Sequence, residues 1–140
     1  MTTRVLFVCT GNSARSQMAE YILRALGGDD LEVFSAGTDP RPVHPLTIRV
    51  LQEIHIDAGD AVSKGIDQFV GKDFDYIITV CDSTRDQCAS FPGHHTPIHW
   101  GFDDPSAAEG DEENQLKAFR RVRGEIITRI RNWLAVANRR

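Results

Sequence analysis

VLFVCTGNSARSQMAE, residues 5–20, runs from four apolar residues through a cysteine and a loop of small residues to an arginine, with a helical pattern directly behind. The segment RVLFVC at 4–9 is short, apolar and rich in β-branched residues, which predicts a buried strand. In SQMAEYILRALGG at 16–28, Met18, Ala19, Ile22, Leu23 and Leu26 recur at helical spacing before a glycine stop, which predicts a helix. A wholly apolar strand passing through a tight loop into a helix is the opening unit of a parallel sheet.

The same alternation continues outward. LEVFSAG at 31–37 reads as a second strand, DYIITVC at 75–81 as a third and TPIHW at 96–100 as a fourth. Pro45 suits an early helical position, and Leu46, Val50, Leu51 and Ile54 form one stripe over 45–54. DSTRDQCASFPGHH at 82–95 reads as loop or a short, weak helix. From about Glu113 to Ala137, Leu116, Phe119, Val122, Ile126, Ile130, Trp133 and Leu134 stand three and four apart, the mark of a long amphipathic closing helix. Its arginines read as a solvated face, and the acidic stretch DDPSAAEGDEE at 103–113 as a mobile surface loop. The class is α/β with a parallel sheet covered on both faces, in one domain over 1–140, since 140 residues with 41% apolar content fill one core and not two.

A net charge of -4 gives no general attraction to nucleic acid or to anionic membrane, and no apolar run approaches the length of a span. No secretory pattern opens the chain, so a cytoplasmic location is expected. Three cysteines are too few, and odd in number, for a disulfide framework, so each is a free thiol used either for packing or for chemistry.

Cys9 is predicted at the carboxyl end of the first strand, where open parallel sheets bind ligands. The loop Thr10, Gly11, Asn12, Ser13, Ala14 is small enough to turn its backbone N–H groups onto a tetrahedral oxyanion beside a helix N-terminus. Arg15 closes that cradle with a bidentate guanidinium, and Ser16 follows. The positive surroundings favour a Cys9 thiolate as nucleophile. The Gly-Lys-Ser/Thr ending of a nucleotide-binding loop is missing. A leaving oxygen needs a proton donor; Asp104, held extended before Pro105, is the candidate, with Asp103 second. Cys81 ends the third strand at the same edge as Cys9, with Cys88 six residues of polar loop further on. If the first and third strands are neighbours, that spacing suits a relay in which one thiol attacks another. A zinc site from Cys81, Cys88, His94, His95 and His99 fits poorly, because the spacings match no common finger.

The motifs VCTGNSARSQMAE, SAGT, the helix after HPLTI, VCDSTRDQC and HWGFDDP together resemble, in order and over nearly the whole chain, the low-molecular-weight protein tyrosine phosphatase superfamily, and within it the thioredoxin-coupled arsenate reductases. The resemblance implies a three-layer α/β/α fold with a four-stranded parallel sheet of order 2-1-3-4. It implies Cys9 as nucleophile, Arg15 and the loop amides as the oxyanion site, and Asp104 as acid. Ser16 would hydrogen-bond the Cys9 sulfur, with Asn12 and Ser35 bracing the loop from beneath. It further implies that arsenate is reduced to arsenite by a relay through Cys9, Cys81 and Cys88, recycled by thioredoxin, with no bound cofactor. Ala14 stands where many of these reductases carry another cysteine, outside the relay. Some members bind potassium near the loop; Asn12, Glu20 and Ser35 match that site, but Lys64 replaces an acidic ligand, and its ammonium can stand in for the ion. The rival reading is a tyrosine phosphatase using a Cys9 phosphocysteine; DPSAAEG at 104–110 lacks the aromatic residues such a pocket needs for a phenyl ring, although weak hydrolysis of small aryl phosphates is expected. A reading of another class is a non-catalytic oxyanion-binding or redox-sensing module.

Overall fold

The computed structural model describes residues 2–81 and 91–137. Its elements are β1 (Thr3–Cys9), α1 (Arg15–Gly27), β2 (Leu31–Gly37), α2 (Pro45–Gln52), a 3-10 turn (Ile66–Phe69), β3 (Tyr76–Thr79), β4 (Thr96–His99), a second 3-10 turn (Pro105–Ala107) and α3 (Glu112–Ala137). The four strands form one parallel sheet in the order β2-β1-β3-β4, as the resemblance implied.

β1 is the central strand, and Val5 through Val8 are completely buried. Its apolar run is continuous because the strand feeds two cores, side chains alternating between the faces. Val5, Phe7 and Cys9 join the large cluster that holds Met18, Ile22 and Leu23 of α1, Val50 and Leu51 of α2, and Leu116, Phe119, Val122, Ile126 and Ile130 of α3. Leu6 and Val8 join a smaller one with Phe69, Phe74, Ile77 and Phe91. Among the described residues that second face is covered by the 3-10 turn and loop aromatics rather than by a long helix.

The register fixes what meets at the carboxyl edge. Val8 pairs with Thr79 and Cys9 with Gly37, and the pairing of β1 with β3 runs on one residue beyond the strand through the Val80 N–H, which donates to the Val8 carbonyl. Cys9 and Cys81 therefore leave adjacent strands side by side.

Two sequence expectations need correction. Leu26 ends the predicted stripe of α1, yet it is exposed, because the helix has passed the edge of the core. The arginines of α3 are not all solvated: Arg120 and Arg123 grip Glu53 at the end of α2, and Arg123 also donates to the Val50 carbonyl. The 103–113 stretch lies largely exposed at the surface and carries local bonds. The Asp104 carboxylate accepts from Ser106 N–H and hydroxyl, and Asn114 donates to the Glu109 carbonyl.

Candidate active site

The loop between β1 and α1 is shaped from outside by its own carbonyls. Cys9 O accepts from Thr38 N–H, Thr10 O from Asp39 N–H, Gly11 O from Arg41 N–H and Ser13 O from His44 N–H, at 2.8 to 3.1 Å. Gln17 Nε2 donates to Asn12 O at 3.2 Å. In a planar trans peptide the N–H points opposite to the preceding carbonyl. Five carbonyls held outward therefore turn the amides of residues 10–14 inward. Gly37 makes this docking possible: a Cβ there would stand 2.5 Å from Thr10 O and 2.9 Å from Asn12 N, so no side chain fits. α1 begins without a side-chain cap, leaving its first N–H groups and positive dipole end for a ligand.

The resulting pocket, of about 450 Å³, is lined by Cys9, Thr10, Gly11, Ser13, Ala14, Arg15, Arg41, Asp104 and Ser106. Arg15 spans it, donating through Nη1 to the Phe102 carbonyl at 3.1 Å, with Nη2 3.8 Å from Asp104 Oδ2. Asp104 is extended before Pro105, as the sequence predicted, and lines the same pocket as Cys9. Asp103 instead pairs with Arg121 and does not line the pocket.

Of the predicted cradle residues, Asn12 and Ser16 lie beneath the loop, fully buried. Asn12 has a left-handed φ of 49°, and its N–H, turned inward by the Gly11 carbonyl, donates to Cys9 Sγ at 3.2 Å. Its Nδ2 donates to both Ser16 Oγ and Ser35 Oγ at 2.8 Å, while Ser35 donates onward to Glu20 Oε1 at 2.5 Å. These bonds set the direction of the chain: Ser16 already accepts from Asn12, so its hydroxyl hydrogen is left for Cys9 Sγ at 2.7 Å. The sulfur thus receives one main-chain and one side-chain donor, an environment that suits an anion.

Glu20 anchors that chain. Arg24 Nη2 meets its Oε2 at 2.5 Å, and Lys64 Nζ donates to its Oε1 at 3.4 Å and to Val62 O at 3.0 Å. The residues matching a potassium site thus already enclose two cationic side chains, and the Lys64 ammonium stands against the carboxylate oxygen a bound cation would need. The set does not fit a further monovalent ion. Among the described residues no group of three His, Cys, Asp or Glu is placed to hold a metal, and the zinc set has no such centre there.

Cys81 is buried in the large core cluster, its Sγ 3.6 Å from Thr10 Oγ1. The structure packs it against the loop that follows Cys9. Cys88 lies outside the described residues.

Sequence reasoning missed Arg41 and Ser106 in the pocket wall, and His44, which couples the loop to α2. His44 Nδ1 accepts from Leu46 N–H at the helix start and its ring packs on Phe119 with centroids 4.8 Å apart. Burial holds its pKa below the ordinary value against the opposing pull of Asp104. Only Ser106 carried a signal, the Asp-Pro-Ser turn.

The chain is similar to the arsenate reductase of Halalkalibacterium halodurans, 42% identical over 129 residues that cover 92% of this chain and 93% of that one. Among solved structures it resembles an arsenate reductase in a phosphate-binding state, with a TM-score of 0.76 and 31% identity over 96% of this chain and 98% of that one. It also resembles the thioredoxin-dependent arsenate reductase of Corynebacterium glutamicum, with a TM-score of 0.75 and 28% identity over 99% of this chain and 64% of that one. The model of one family, low molecular weight phosphotyrosine protein phosphatase, matches residues 4–140, and this chain belongs to that family.

Proposed function

We propose that this chain reduces arsenate to arsenite by a three-thiol relay, with thioredoxin as reductant. The Cys9 thiolate attacks arsenic, and Asp104 protonates the departing oxygen, which leaves as water. The oxyanion is held meanwhile by the loop amides and the Arg15 guanidinium. Cys81 then attacks the Cys9 sulfur; the S–As bond breaks with its electron pair going to arsenic, so As(V) becomes As(III) and leaves as arsenite while a Cys9–Cys81 disulfide forms. Cys88 attacks Cys81, releasing the Cys9 thiolate, and the resulting Cys81–Cys88 disulfide is reduced by the thioredoxin dithiol. Two thiols lose two electrons and arsenic gains two.

The observation that carries this reading is Cys81 itself, its sulfur 3.6 Å from Thr10 of the nucleophile loop. A phosphatase passing a phosphoryl group from Cys9 to water has no use for that thiol. The pocket supports the same choice, since no aromatic side chain lines it among the described residues, leaving a phenyl ring no surface to stack on. Arsenate matches phosphate in shape and charge, so the cradle also accepts small aryl phosphates and hydrolyses them weakly.

The test is arsenate-dependent NADPH oxidation with thioredoxin and its reductase, run beside Cys88→Ser and beside hydrolysis of para-nitrophenyl phosphate. The relay predicts turnover that collapses in Cys88→Ser while hydrolysis persists. Brisk hydrolysis with no arsenate turnover, indifferent to Cys88, would make the chain a phosphatase.

A further inference from the structure

Gln17 sits in the first turn of α1 with its side chain completely buried. Its Nε2 donates to three acceptors, Asn12 O at 3.2 Å, Asn12 Oδ1 at 3.0 Å and Val62 O at 3.0 Å. Its Oε1 is buried and has no hydrogen-bond partner among the described residues. Burying a carbonyl-type oxygen without a donor is unfavourable, and native structures rarely carry such an atom without a reason.

The fold gives little reason. A methionine has the same length, no branching and no polar atom to leave unpaired. Replacing Gln17 with it would remove the unpartnered Oε1 and leave Asn12 O without its donor. The other two acceptors would keep partners from Lys64, whose N–H donates to Asn12 Oδ1 at 2.8 Å and whose Nζ donates to Val62 O. One unpaired acceptor is exchanged for another, so stability is close to unchanged.

What glutamine adds is control of Asn12. By holding both the main-chain and the side-chain oxygen of that residue, one amide group fixes its left-handed backbone, a conformation that a non-glycine residue does not hold freely. Together with the Lys64 N–H, which shares Asn12 Oδ1, it also fixes which side of the Asn12 amide faces Ser16. The Ser16 hydroxyl, one of the two donors on the Cys9 sulfur, depends on that orientation, because Asn12 Nδ2 donates to Ser16 Oγ and leaves its hydrogen for the sulfur. We infer that Gln17 is a positioning residue for Cys9, acting through the Asn12 side chain to aim the Ser16 hydroxyl at the sulfur and so keep it as thiolate. The inference rests on Cys9 being the nucleophile, and extends it to a residue that never touches substrate.

The experiment follows Cys9 alkylation by iodoacetamide as a function of pH, mapped by peptide mass, in the unmodified chain and in Gln17→Met, Gln17→Ala and Gln17→His. Without the donor, the pH at which Cys9 reacts half-maximally rises by about one unit, so that at low pH alkylation slows about tenfold. The Gln17→Met melting temperature stays within roughly 3 °C. The histidine, which offers a ring N–H at similar reach, restores most of the reactivity. An unchanged midpoint in folded Gln17→Met and Gln17→Ala overturns the inference, and so does failure of both to fold, since Gln17 is then structural. Because the readout involves no arsenate, a chain that proves not to reduce arsenate leaves this result standing or falling by itself.

Discussion

Arg41 shows how a single residue can shape the site without announcing itself in the sequence. It stands between two prolines in DPRPVHP, thirty-two residues from Cys9, and only the docking of its N–H on Gly11 O brings it to the pocket wall. Its side chain is 72% exposed and its pairing with Asp39 at 3.3 Å is a surface contact of small energetic weight, so the guanidinium remains available to an incoming dianion. Arg41→Ala is therefore expected to raise KM for arsenate and Ki for phosphate about three- to tenfold with kcat unchanged, the gap narrowing as salt rises. A fall in kcat at constant KM would contradict that role. Lys64 supports the opposite side of the loop: its ammonium already lies against Glu20 Oε1. Exchanging sodium for potassium at constant ionic strength should leave turnover unchanged, and a several-fold rise would show that Lys64 does not replace the ion. Cys9, Arg15 and their loop were legible because their chemistry is contiguous in sequence. Gln17 was not, because a glutamine in a helix pattern looks like a surface residue until the loop folds over it.

Between elements, the contact least legible in sequence joins α2 to α3. Arginines on a helix rich in charge read as solvated, and nothing local in the sequence ties Arg120 or Arg123 to Glu53, 67 and 70 residues away. In the structure Arg120 Nη2 meets Glu53 Oε2 and Arg123 Nη1 meets Oε1, each at 2.7 Å. Hydrogen bonding to Arg120 first, and then to Arg123, pulls the Glu53 carboxyl down to about 2 despite some opposing burial. The sign follows by linkage. A carboxyl whose pKa is lower in the folded chain contributes stability that is complete above its ordinary range, near 4.5, and is lost as pH falls toward 2. Glu53→Gln should lower the melting temperature by about 2–4 °C at neutral pH, and the difference should fade as the acid limit is approached. A difference that persists undiminished at pH 2 would mean that the pair acts by packing alone. The long helix and its stripe were legible for the converse reason: Leu116, Phe119, Val122, Ile126 and Ile130 need only a period, and the period is local.

At the scale of the molecule, the parallel sheet does the chemical work of assembly. Every strand points its carboxyl end to one edge, so the Cys9 loop after β1, the Gly37 loop after β2, Cys81 after β3 and Asp104 after β4 converge although they span most of the chain. That convergence was legible from the alternation of strands and helices. The docking of particular side chains across it was not, because register and loop closure are non-local. Convergence also makes a stoichiometric prediction that does not depend on rates. The reduced chain has three thiols. If one arsenate draws its two electrons from the protein, one equivalent without external reductant must leave a single thiol, titrated under denaturing conditions, and a disulfide mapped to Cys81 and Cys88. In Cys88→Ser the same equivalent consumes both remaining thiols and stops at Cys9–Cys81, since nothing can resolve that bond. In Cys81→Ser no disulfide reaches Cys9. Three thiols surviving arsenate in the unmodified chain would mean that Cys9 exchanges oxyanions without passing electrons, and the second and third cysteines would then have to be explained by packing.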